Sequence, residues 1–480
     1  MDFPPFVLDQ MGTRLLIGII AGLHVLINHP LAVGIYPLIC VLEFIGIRKN
    51  WPELDALAHK ITFVVFLITT TVGALTGVGI WLATSLAAPF AIGSLLRVFF
   101  WGWFAEWLVF ISEVVLIMIY FLTWKRWSQG AAKWRHLKFG IALSVMSWFT
   151  MALIVAVLAF MMDSGGWREN RTFLSAFFNP VYLPQLAFRT TYALMAAGFF
   201  ALFCAYFFTE RGTRLREWII SFCCRWSLFT ALACGLAGCV YLAFVPQVMK
   251  ENMGVGLLTM QFAAWQGKFS VLLFVTGLSF GALGFWGFLE PKRFPRWAMV
   301  VPLFLSVWLL GHFERVREFI RKPYVISDYM YSNGIRKDEV ALLQYEGVLR
   351  HATYVKTSQI TDENRIAAGR DVFTIACSRC HTTDGLNGVI GKFQAMYGSG
   401  EWDSQAMTAF LGTMHVSRPY MPPFPGNDQE AAALVAYIQS LRGDRQPLEG
   451  AQSAGVEINP LHESTPAAQA ATALIPAISH

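Results

Sequence analysis

Charge is what this chain lacks. Only 14% of its 480 residues are charged, 55% are hydrophobic, and the mean hydropathy is +0.49. Those values exclude an ordinary soluble domain and fit a polytopic membrane protein. An excess of one sign is also missing. The formal charge of +6 is too small, over this length, to argue for nucleic acid. No basic n-region precedes the first apolar run, and that run is too long for a signal peptide, so no cleavable leader is expected. Cysteine is scarce. Cys40, Cys204, Cys223, Cys224, Cys234 and Cys239 lie in or beside apolar runs, where a thiol acts as a small buried hydrophobe, which argues against a disulfide framework.

What remains is apolar sequence in long blocks. Eight stretches are long enough to span a bilayer as helices, near 15–47, 61–88, 94–124, 139–162, 181–208, 218–245, 255–289 and 297–320. Lys and Arg between them are unevenly shared. Alternate loops hold fourteen (Arg48, Lys49, Lys60, Lys125, Arg126, Lys133, Arg135, Lys138, Arg211, Arg214, Arg216, Lys292, Arg293, Arg296) against five (Arg14, Arg97, Arg168, Arg171, Lys250). The richer set is expected on the cytoplasmic side, which puts both termini outside. The expected fold is all-α: an eight-helix membrane bundle over 1–320, a polar connector over 321–361, a small helical domain over 362–443, and an Ala/Pro/Ser-rich tail over 444–480.

The small domain carries the sharpest motif, Cys377-Ser378-Arg379-Cys380-His381. Two thiols spaced by two residues, with histidine directly after, is the attachment pattern of a c-type haem. The cysteines would form thioethers to the vinyls, and His381 would lie against the iron. A zinc site would need a second ligand pair, and none follows. Asp362 is expected to cap a helix running through Gly369 and Phe373 into the cysteines, and Asp428 to start another from Gln429 to Arg442. Tyr420-Met421-Pro422-Pro423-Phe424 offers a methionine in a stiff loop, and a Met thioether opposite His raises the potential of the iron. This order resembles the class I cytochromes c over residues 362–443. Met414 is a rival for the sixth ligand that does not match the pattern of that family. Haem c is attached in the periplasm of bacteria, which agrees with the charge-based orientation and points to the bacterial inner membrane.

Ionisable groups at membrane depth are candidate functional residues. The first stretch carries His24, Asn28 and His29; the third carries Glu106 and Glu113, seven apart on one helical face; the fifth carries Arg189; the seventh carries Lys268; the last carries His312, Glu314, Arg315, Arg317, Glu318 and, at its end, Arg321. His24 lies about ten residues inside the outer end, and at 1.5 Å per residue that is the outer half of the bilayer. Glu106 and Glu113 are candidates for a proton relay, with pairing to Arg97 or to other helices as the structural alternative.

Several segments resemble, in order, the large subunit of the cytochrome bd-type quinol oxidases over residues 12–335. They are Leu23-His24 with Pro30 to Gly34, Val72-Gly73-Ala74-Leu75-Thr76-Gly77-Val78, Ile111-Ser112-Glu113 through Trp124, Asn179-Pro180-Val181, and Glu318-Phe319-Ile320-Arg321-Lys322-Pro323-Tyr324. The resemblance implies one or two non-covalent haems b, with His24 and Glu318 as iron ligands, His312 as an alternative, and Arg321 on a propionate. It also implies a second membrane subunit beside the surrounding lipid. Two departures stand against a complete quinol oxidase. Arg189 and Ser270 stand where that family has the His and Met of its low-spin haem, and only Pro246 to Gly254 replaces its long quinol-binding loop. The chain therefore reads as a respiratory electron-transfer subunit linking a periplasmic cytochrome or other redox protein, through haem c, to bilayer haems. O2 reduction and quinol binding stay open, and the alternative is a scaffold in which haem c alone is redox active.

Overall fold

The computed structural model describes residues 6–258, 266–353, 355–398 and 402–443, with side chains omitted at 254–258, 266–273 and 443. The expected tail, 444–480, lies outside the described residues.

Seven helical spans among the described residues are long and apolar enough to cross a membrane: Thr13–Lys49, Pro52–Ala87, Phe100–Thr123, Gly130–Phe160, Tyr182–Phe208, Arg214–Phe244 and Trp297–Ile320. The seventh expected stretch, 255–289, falls partly outside the described residues. Its helix, Gln266–Leu289, is 24 residues long, and Phe274–Leu289 is its described apolar part. The chain is a multi-pass membrane protein.

The first span is not one continuous α-helix. Pro30 has no N–H to give to an i−4 carbonyl, and the chain widens into a π-helical segment, His29–Gly34, before the α-helix resumes at Ile35. The second span has the same device at Thr69–Gly73, where Thr69, Thr70 and Thr71 hydroxyls bond back to the carbonyls of Val65, Phe66 and Leu67. The π segment of the first span packs on the fifth span with backbones in contact. A Cβ on Gly34 would lie 2.0 Å from the Ala193 carbonyl oxygen, so only glycine fits there.

Burial divides the spans. The first and fifth form the centre, whereas the most apolar stretches of the second, third and sixth are mostly exposed on the bundle's outside. Five of the six cysteines in apolar runs are buried and all six are free, as expected; Cys239 is exposed.

The connector is more structured than its polarity suggests. It pairs Tyr324–Ile326 with Met330–Tyr331 in a two-stranded antiparallel hairpin and then forms a short helix, Val340–Glu346. The C-terminal domain has four helices, Arg365–Ala376, Val389–Tyr397, Ser404–Ser417 and Asp428–Gly443. The first starts after Asn364, not at Asp362, because Asn364, an equally good N-cap residue type, holds the cap position, and Asp362 pairs with Arg365. The last has a reciprocal cap. Asn427 Oδ1 accepts the Glu430 amide at 3.0 Å, and Glu430 accepts the Asn427 amide at 3.1 Å.

Candidate functional site

The haem-attachment motif sits where the helix Arg365–Ala376 ends. Cys377 takes the capping amide bond to Phe373, and a tight turn follows, with Cys380 and His381 amides both donating to the Cys377 carbonyl. His381 Nδ1 lies 3.1 Å from the Asn387 carbonyl oxygen. An Nδ1–H donated there leaves the Nε2 lone pair for a metal, the usual way a partner sets the ligating tautomer. Burial holds the His381 imidazole down to about 4, so it is neutral, as a ligand must be. Burial also pushes the Cys377 thiol up to about 12, which makes it a poor thiolate. Trp402 is 1% exposed and its indole Nε1 has no hydrogen-bond partner among the described residues. A buried orphan donor in the same domain core that Cys377 packs against is compatible with a polar group of a bound cofactor. The residues present therefore fit a c-type haem. Met414 packs with Cys377 against the domain core, while Met421 is held by its backbone, its amide on Arg418 and its carbonyl under His415 Nδ1 at 2.6 Å. Both methionines stay candidates for the sixth position.

The motif faces the membrane bundle. Arg379 donates to the Ala87 carbonyl at the end of the second span, and the Leu386 amide donates to Gln10 at 2.8 Å. The Arg14 side chain, at the start of the first span, reaches Cys380.

Beneath that contact, charge is concentrated. Arg14 holds Glu318 through Nε at 3.0 Å and Nη2 at 2.8 Å, and Arg321 grips the other oxygen of Glu318. Arg321 is 6% exposed and also donates to the Val325 carbonyl at 3.1 Å. One turn deeper, Glu314 accepts from Arg189 at 2.6 Å and from Arg317 at 2.8 Å, and Arg189 Nη1 reaches His29 Nε2 at 3.1 Å. Four guanidiniums thus meet two carboxylates, and Lys322 stands nearby over the Phe319 ring. Burial and then Arg14 hold the Lys322 amine down to about 8. Arg189 Nε, Arg317 Nη1 and Arg321 Nε are buried with no hydrogen-bond partner among the described residues.

His24 lies in a cradle made by the second span. Its Nδ1 is 3.1 Å from Thr76 Oγ1 and 2.9 Å from Asn28 Nδ2. The Thr76 hydroxyl spends its proton on the Val72 carbonyl at 2.8 Å and can accept from Nδ1–H, whereas the Asn28 amide nitrogen can only donate and asks Nδ1 to accept, so the two neighbours favour opposite tautomers. Gly73 and Gly77 make the room. A Cβ would stand 3.0 Å from Asn28 Oδ1 and 3.2 Å from His24 Cε1 respectively. His312 gives Nδ1 to the Trp308 carbonyl at 3.0 Å and lies against the Trp308 ring.

Glu113 does not pair with Arg97. Its two oxygens accept from Ser147 at 2.8 Å and Thr150 at 3.0 Å, both on the fourth span. Glu106 is half-buried two turns away on the same helix. Lys268 and Ser270 have side chains outside the described set. At Arg189, the donor set does not fit a ligated iron, because a guanidinium keeps its proton and its place is taken by Glu314 and His29. Among the described residues, no three His, Cys, Asp or Glu side chains converge on a metal-ion site.

Sequence reasoning missed a second network at the far end of the bundle. Glu43, wholly buried, takes His136 Nδ1 at 2.5 Å, the Tyr120 hydroxyl at 2.7 Å and Lys133 at 2.9 Å; Lys133 also meets Asp55 at 2.7 Å. Lys133 had been read only as a topology-setting loop charge. A glutamate inside the first apolar run was the overlooked signal.

Comparison with known proteins bears on both parts. Residues 364–438 match the family model described as cytochrome C oxidase, cbb3-type, subunit III. Among solved structures, the chain is similar to one described as the structure of bd oxidase from Geobacillus thermodenitrificans. The identity is 19%, the TM-score 0.56, and the match covers 66% of this chain and 89% of that one. That likeness establishes a shared fold. No curated protein matched. The chain thus joins a bundle of bd-oxidase fold to a C-terminal cytochrome c domain.

Proposed function

We propose that the chain is a membrane-bound respiratory electron-transfer subunit, in which haem c exchanges electrons with one or two non-covalent haems in the adjoining half of the bilayer. The observation that carries this reading is the excess of basic side chains directly beneath the attachment motif. Two carboxylates cannot balance four guanidiniums, and unpaired guanidinium donors in a low-dielectric site favour anionic groups such as haem propionates. Bound haem supplies a one-electron iron couple; the rest falls to the residues of this chain. Cys377 and Cys380 would bind the haem c through thioethers, and His381 and Met421 would ligate its iron. His24 would offer a ring nitrogen to a bilayer iron, with Thr76 and Asn28 orienting the ring. Glu318 or His312 would ligate a second, and Glu318 would release one arginine to do so. Arg321 would clamp a propionate. Glu113, held by two hydroxyls, and Glu106 would pass protons along the third span.

The charge asymmetry of the loops favours the inner membrane of a bacterium, with the cytochrome c domain in the periplasm and both termini outside. A soluble periplasmic redox protein or cytochrome, and a second membrane subunit covering the bare second and third spans, are the partners this reading calls for. Whether O2 or quinol is the far partner is decided by what binds at His24. The alternative, a scaffold with haem c alone redox active, draws on Arg189, which closes one family site with an ion pair. The test is acid–acetone extraction followed by pyridine haemochrome spectra. More than one haem per chain, with a non-covalent fraction, is expected; a single covalent haem would overturn the proposal.

A further inference from the structure

We propose that Arg379 is a positioning residue that locks the haem-attachment loop onto the membrane bundle, so that the cytochrome c domain transfers electrons from a fixed seat and does not swing. This rests on the electron-transfer reading above and assigns it a mechanical part.

Arg379 stands between the two attachment cysteines, and its side chain leaves the domain for the bundle. Its guanidinium donates to the carbonyl of Ala87, the last residue of the second span. The carbonyls of a final helical turn have no intrahelical donor, and the helix dipole makes that end negative. Here the next helix starts at once, with Pro89, which has no N–H to offer. A cation at this corner therefore satisfies a carbonyl that the bundle leaves open.

Three further contacts close around it. The Leu386 amide bonds Gln10 at 2.8 Å, and a Cβ on the neighbouring Gly385 would lie 2.0 Å from the Gln10 oxygen. Gly334, with φ +86, lets the connector turn so tightly that an added Cβ would be 3.7 Å from Arg379 Cζ and 3.5 Å from Phe90. Phe319 at the end of the last span meets Tyr420 beside Met421, with ring centroids 6.1 Å apart. The connector is no free tether either. Glu430 of the domain accepts the Val348 and Leu349 amides at 2.9 and 2.8 Å. The second span, the segment at Gln10 and the connector at Gly334 thus meet the attachment loop, the Tyr420 and Glu430 contacts hold the rest of the domain, and the arginine is the bond that joins the motif itself to the bundle.

The test uses the full chain in detergent, as R379Q, R379K and G385A. Two quantities are read: hydrogen exchange of peptides covering 6–14, 86–98 and 379–390, and the rate at which photoreduced haem c is reoxidised by the bundle. R379Q is expected to speed exchange in all three peptides, to leave the helix Asp428–Gly443 protected, and to slow reoxidation about tenfold, since small displacements of reacting groups carry effects of that size. R379K should restore most of both. Unchanged exchange and rate in R379Q would overturn the proposal. If R379Q does not take up haem, G385A decides: it pries Gln10 away without touching the motif, so faster exchange and slower transfer support the seat, and wild-type values refute it. A wild-type chain whose haem c is never reoxidised would sink the electron-transfer reading instead, and exchange alone would then judge the docking.

Discussion

The two ends of the bundle both bury charge, and they do so in opposite ways. At the far end, Glu43 is met on each oxygen by donors from Tyr120, His136 and Lys133, and Lys133 reaches on to Asp55. Two carboxylates face one lysine and one histidine, and every helix in the contact is stapled to its neighbour. At the cytochrome end, Glu314 and Glu318 each carry two guanidiniums, and Lys322 adds a further cation. The far network pairs its charges within the protein, although Lys133 Nζ and Asp55 Oδ1 make ion pairs without an aligned hydrogen bond among the described residues. The near one asks for an anion. A buried ion cluster is weak grounds for stability by itself, but its imbalance is informative about what it was built to hold.

The largest effect should come from removing the near site's connection to the outside. On the proposed ligation, His381→Ala deletes the proximal ligand, and Asn387 cannot replace it. Electron entry from any soluble donor should fall to background, read by donor-driven reduction of the whole chain, while the bundle still folds. Next comes the pair of ion-network breaks that tests the comparison directly. Glu43→Ala and Arg189→Ala each strand a buried charge and should cost about 3–5 kcal/mol, read as a drop in thermal unfolding in detergent. The outcomes part at haem content. Glu43→Ala should keep the ratio of non-covalent haem to folded protein, whereas Glu318→Gln, which removes a carboxylate from the cytochrome end, should lower it. Equal haem loss in Glu43→Ala and Glu318→Gln would erase the distinction drawn between the two ends.

The same comparison explains what could be read from the chain and what could not. The attachment motif was legible because its parts are contiguous, Cys377 to His381, and the spans were legible because apolar runs declare themselves. The pairing of Arg14 with Glu318 was not, because 304 residues separate them and only the fold brings them together. Arg14 looked like a loop charge and Glu318 like a lone ligand. The helix cap falls two residues after Asp362 because Asn364, an equally good N-cap residue type, holds the position. Gly73 and Gly77 were seen as a motif, but their reason, clearance for Asn28 and His24, needed the packing.

A smaller effect separates the two methionines. Met421→Ala should lower the potential of haem c and abolish the absorption band of thioether ligation, because a thioether opposite histidine raises the potential. Met414→Ala should leave both in place and only loosen the domain core, against which Met414 packs. Redox titration of the two variants gives the answer, and a reversed result would move the sixth ligand onto the helix Ser404–Ser417.

The smallest predicted change sharpens the contrast between bundle and cytochrome domain. Asp403 caps the helix Ser404–Ser417 by accepting the Gln405 amide at 2.8 Å and the Ala406 amide at 3.4 Å. Helices of the bundle can dispense with most such caps because lateral packing in lipid holds them, whereas a short helix in water depends on its ends. Asp403→Ala should therefore cost about 1 kcal/mol and be felt by the cytochrome domain alone. Following haem c absorbance and helical circular dichroism through the same thermal scan separates the parts. The haem transition should shift down while the main helical transition stays. A common shift would mean that the docked domain and the bundle unfold as one body, and that the seat described at Arg379 couples them energetically as well as electronically.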